Sequence, residues 1–76
     1  MPVLRTCNQR SKVIKALERA GFEQDEGGKH VVMHHSDGRL TTIPNDREIR
    51  IGTLKAIVRQ CGLTDQEFIR LYGGKR

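Results

Sequence analysis

The sequence predicts an α+β domain of the order α-β-β-β-α: a three-stranded antiparallel sheet with helices on one face and a short extra C-terminal helix. Three observations predict it. Apolar residues recur at helical spacing in two separate stretches, 11–20 and 53–61. Between them lie three short extended runs, separated by Gly27-Gly28 and by Ser36-Asp37-Gly38. A Thr-x-x-Glu capping signature at Thr64–Glu67 then opens one more helix.

The first helix, SKVIKALERA, takes Ser11 as its N-cap, and Val13, Ala16, Leu17 and Ala20 form its apolar stripe. Gly21 suits the position that ends it. The strands fall within 22–26, 29–35 and 39–44. The register of the second hairpin depends on its turn. A two-residue Asp-Gly turn pairs Val32 with Ile43. A three-residue turn with Gly38 in a bulge pairs Val31 with Ile43 and sends Val31, Met33 and Ile43 to the core. The second arrangement is favoured. Pro44 ends the last strand, and the charged loop NDREIRIG leads to the second helix, with Leu54, Ile57, Val58 and Cys61 on one side and Gly62 as its stop. Leu63 can staple onto Phe68 across the capping box. The core is expected over 11–72, with 1–10 and 73–76 as flexible ends of a single domain spanning 1–76. Two helices over one face of a three-stranded meander give the topology of double-stranded-RNA-binding domains, with the opposite sheet face open.

Composition narrows the function. The chain has 76 residues, with 14 Lys and Arg against 9 Asp and Glu, a net charge of +5. That excess favours a polyanion or an acidic protein as partner. One Tyr, two Phe and no Trp leave little surface for stacking bases, so contacts to nucleic acid should run through phosphates. No apolar stretch reaches the roughly 20 residues of a spanning helix, and MPVLRTCNQRSK lacks the apolar run of a signal peptide, so a cytoplasmic protein without membrane association is expected. Cys7 and Cys61 fit no short metal or redox spacing and read as free thiols.

The stretch GGKHVVMHHSDGRL holds all three histidines. On a strand, His30 and His34 share a face but stand about 13 Å apart, too far to hold one ion. His34 and His35 point to opposite faces. No metal or other cofactor is therefore expected. His34 and His35 read as ordinary half-exposed residues at a strand end. His30 differs, because it follows Gly27-Gly28-Lys29 directly. The glycines permit close approach, the lysine can meet a phosphate, and an imidazole exchanges protons near neutral pH. The combination suits RNA cleavage, where a base activates the 2′-hydroxyl or an acid protonates the leaving oxygen.

Four segments in register, SKVIKALERAGF, GGKHVVMHHSDGR, TTIP and EIRIGTLKAIVRQCGLTDQEF, carry a resemblance to the HicA family of small bacterial toxins. The resemblance runs from Ser11 to about Leu71. It implies a double-stranded-RNA-binding-like fold and a metal-independent endoribonuclease that cleaves mRNA and is neutralised by a HicB-type antitoxin. It also implies a catalytic histidine at His30, with Gly28 as the motif glycine. The chain departs from the family's pattern at Lys29 and Val31, where many members carry Ser and a second His, and at Asn45-Asp46, where basic residues or histidine are common. Lys29 is expected at the scissile phosphate, and Lys12, Lys15, Arg47 and Arg50 on a diffuse RNA-binding surface. The alternative is a non-catalytic RNA-binding module of the same fold.

Overall fold

A computed structural model describes residues 4–25 and 31–73, without the side chain of Arg5. A short 3-10 turn (Leu4–Thr6) precedes α1 (Arg10–Arg19), β1 (Glu23–Asp25), β2 (Val31–His34), β3 (Leu40–Ile43), α2 (Ile51–Gln60) and α3 (Asp65–Tyr72). The strands form one antiparallel sheet in the order β1-β2-β3. This is the expected α+β architecture, compatible with the double-stranded-RNA-binding topology.

The hairpin register is the bulged one. Val31 pairs with Ile43 and Met33 with Thr41. The His35 carbonyl accepts the Gly38 amide at 2.9 Å, and the His35 amide donates to the Arg39 carbonyl at 2.9 Å. Gly38 has φ 100°, the left-handed conformation that this bulge requires and that a side chain disfavours. Met33 and Ile43 are fully buried as a result, whereas Leu40 and Thr42 face out. The Thr41 hydroxyl donates to Gln60 Oε1 at 2.6 Å, fastening β3 to α2.

The helices follow their apolar stripes. Val13, Ile14, Ala16 and Leu17 of α1 are buried, as are Leu54, Ile57 and Val58 of α2 and Phe68 of α3. Two boundaries differ from expectation. The N-cap of α1 is Gln9, and it makes no side-chain cap; Ser11 lies inside the first turn. The reason is tertiary. Gln9 bridges to Glu48, and the Arg10 amide donates to the Arg47 carbonyl at 3.0 Å, so the loop after β3 fixes the start of the helix and satisfies one of the amides its first turn leaves without a helical partner. Likewise α2 starts at Ile51, ahead of Thr53. The capping box of α3 is formed in full: Glu67 donates its amide to Thr64 Oγ1 at 3.1 Å, and the Thr64 amide donates to Glu67 Oε1 at 3.0 Å.

The core also begins earlier than residue 11. Leu4 and Cys7 are buried in it, and the 3-10 turn Leu4–Thr6 packs against α2 and α3. Their spacing of three explains this, since residues i and i+3 lie over one another in a 3-10 turn. Cys7 and Cys61 are both buried, and they form no disulfide with each other.

Candidate nucleic-acid interface

Gly28, Lys29 and His30 lie outside the described residues. The described ladder ends at the Val31–Ile43 pair, so β2 begins at the same end of the sheet where Pro44 follows β3. The two other histidines are placed. His34 is half-buried and pairs with Glu23 and Leu40. His35 packs edge-on against Phe22 with ring centroids 5.1 Å apart. Its Nδ1 accepts the Asp37 amide at 3.2 Å when unprotonated, and stands 3.1 Å from Asp37 Oδ1, to which it donates when protonated. These contacts give His35 a packing role in the turn.

The expected phosphate-binding residues separate into three places. Lys12 and Lys15 line a shallow cleft with Arg19, Tyr72 and Gly73. Helical spacing brings the three basic residues to one side of α1. Lys12 Nζ sits 5.9 Å above the Tyr72 ring, and Arg19 donates to the Leu71 carbonyl at 2.7 Å, near the end of α3. The Tyr72 hydroxyl accepts the Gln9 amide at 3.3 Å. The chain's single tyrosine is thus engaged on its face and at its hydroxyl.

Arg47 belongs to a second, larger cleft of about 630 Å³ between the start of α1 and the loop after β3, together with Arg10, Ser11 and Asn45. Arg50, the exposed N-cap of α2, lines neither cleft. Arg10 was not singled out by sequence reasoning, because a helix start at Ser11 leaves it in an unstructured end. Its adjacency to Arg47 arises from the Gln9–Glu48 bridge, which no local pattern announces.

The cysteines offer no nucleophile. Burial pushes the Cys61 thiol up to about 11, against a weaker opposing effect of nearby Arg39, and burial also raises Cys7. Among the described residues, no three His, Cys, Asp or Glu side chains gather as a metal site would need. Among the same residues, no helix is long and apolar enough to cross a membrane.

Fold and charge thus define a small basic α+β protein. The family model described as HicA toxin of bacterial toxin-antitoxin matches residues 10–63, more than half of the chain. The chain therefore belongs to the HicA toxin family: it is a toxin of a bacterial toxin–antitoxin module, with an antitoxin as its partner. The match runs from α1 through α2 and stops just before α3. No curated protein matches the chain significantly.

Proposed function

We propose that this toxin is a metal-independent endoribonuclease that cuts mRNA in the cytoplasm and that a HicB-type antitoxin neutralises it. The observation that carries the proposal is the family match, which spans Gly28-Lys29-His30 together with the helices and strands on either side. His30 serves as general acid or base. As base it takes the proton of the ribose 2′-hydroxyl while that oxygen attacks the adjacent phosphorus. As acid it protonates the departing 5′-oxygen. Lys29 neutralises charge on the phosphate, and Gly28 lets the RNA backbone come close. Lys12, Lys15, Arg47 and Arg50 attract the strand through its phosphates.

The departures at Lys29, Val31 and Asn45-Asp46 favour a second reading, an RNA-binding module without catalysis. One assay separates the two. Purified protein is incubated with end-labelled RNA in excess chelator and the products are resolved on a gel. Cleavage supports the ribonuclease, whereas retention of intact RNA in a complex supports the binding module.

A further inference from the structure

We propose that the cleft between the start of α1 and the loop after β3 is a phosphate-binding subsite for the RNA backbone, with Arg10 and Arg47 as its two cationic walls. The inference rests on the RNA-binding part of the proposed function and assigns Arg10 a role that the sequence did not suggest. Three features lead to it.

The first is proximity without neutralisation. The backbones of Arg10 and Arg47 are joined by a 3.0 Å hydrogen bond, and both side chains line one cleft. Among the described residues, ion pairs occur only at Asp37, with His35 and Arg39, so neither arginine is paired. Glu48 lines the same cleft without pairing to either. An anion entering the cleft would meet two positive charges that no carboxylate offsets through an ion pair.

The second is preorganisation. Arg10 Nε donates to the Pro44 carbonyl at 3.0 Å, which fixes the guanidinium and leaves its terminal N–H groups for a ligand. The loop wall is held by the two hydrogen bonds of the Gln9–Glu48 bridge, the Arg10 amide to the Arg47 carbonyl and the Ile49 amide to the Asn8 carbonyl at 2.8 Å. Guanidinium forks match the paired oxygens of a phosphodiester.

The third is position. Pro44 follows Ile43, and Ile43 pairs with Val31, the residue after His30. The cleft therefore lies at the end of the sheet where β2 begins and β3 ends, since the Pro44 carbonyl that holds Arg10 follows β3 directly.

The test uses protein carrying His30→Ala, to prevent cleavage, and a 12-nucleotide single-stranded RNA followed by fluorescence anisotropy across a salt series. Arg47→Gln is the cleanest variant, because among the described residues the Arg47 side chain makes no hydrogen bond while its carbonyl still accepts the Arg10 amide. Binding should weaken about fivefold or more, as for loss of a charge-assisted hydrogen bond. The log–log salt slope should become shallower by about 0.7 for each phosphate that is no longer neutralised. Arg10→Gln should act likewise, and DNA of the same sequence should show the same losses. Arg59→Gln, on the exposed side of α2, controls for net charge and should change affinity less. Folded Arg47→Gln protein with unchanged affinity and slope overturns the subsite. So does a loss confined to a polyglutamate probe with RNA binding unchanged, which would mark the cleft as a seat for an acidic protein segment. Wild-type cleavage measured in parallel separates the two claims. If wild type cuts RNA and the arginine variants bind it normally, the subsite alone falls. If wild type cuts nothing while the variants bind RNA weakly, the ribonuclease reading falls and the subsite stands.

Discussion

Arg39 reaches from the β2–β3 turn to donate Nη1 to the carbonyl of Cys61, the C-cap of α2. The same side chain bonds Asp37 Oδ2 at 2.7 Å, and its guanidinium carbon lies 5.3 Å from the Phe22 ring centroid. One residue therefore joins the hairpin, the segment after α1 and the end of α2. Gly62, with φ 71°, lies directly beneath it; a Cβ there would stand 3.1 Å from Arg39 Nη1. Arg39→Ala should lower stability by about 1–3 kcal/mol, mostly through the charge-assisted bond to a half-buried carbonyl. Urea denaturation measures this, and an unchanged midpoint would remove Arg39 from the account of the fold.

The three histidines should separate by function. His30→Ala should abolish growth arrest on induced expression while retaining a folded circular dichroism spectrum. His34→Ala should stay toxic and nearly as stable as wild type. His35→Ala should stay toxic but melt earlier, because it removes the ring packed on Phe22 and the acceptor of the Asp37 amide. Its cost should be about 0.5–1.5 kcal/mol, in the range of an aromatic pair or one hydrogen bond. Growth arrest by folded His30→Ala protein would rule out its catalytic assignment.

Two carboxylates are expected to contribute to the acid limb of the stability curve. The Arg39 amide, followed by the Arg39 and His35 charges, holds Asp37 below its usual value. The Thr64 amide and hydroxyl do the same for Glu67 in the capping box. A carboxylate depressed on folding contributes stability that is present above its unfolded value near pH 4 and lost as pH falls through its folded value. The urea midpoint should therefore decline below about pH 4. Asp37→Asn combined with Glu67→Gln should begin lower at pH 7 and decline less on acidification. An equal decline in both proteins would contradict the assignment.

Much of the fold was legible because its signals are local. The stripes Val13–Leu17 and Leu54–Cys61, the Thr64–Glu67 box and the Gly38 bulge each lie within a few residues of one another. The α1 boundary was not legible, because a bridge between Gln9 and Glu48, far apart in sequence, fixes it. The same bridge hid the pairing of Arg10 with Arg47. A count of basic residues placed Lys12, Lys15, Arg47 and Arg50 on one surface, but charge carries no direction. Only the packing of the 44–49 loop against the start of α1 assigns Arg47 to a different cleft from Lys12 and Lys15. The assignment of His30 rests on sequence context and family membership, since that residue lies outside the described structure.

The central claim is that His30 acts as general acid or base while the ribose 2′-hydroxyl attacks the adjacent phosphorus. Its most direct test is single-turnover cleavage, in chelator, of an RNA and of the same strand with 2′-deoxyribose at the cut position. Wild-type protein should cut the RNA and spare the deoxy-substituted strand, and His30→Ala should slow RNA cutting by about 10²–10⁴-fold, the range expected for losing a general acid or base. Cleavage of the deoxy-substituted strand, or wild-type rates from folded His30→Ala protein, would contradict it.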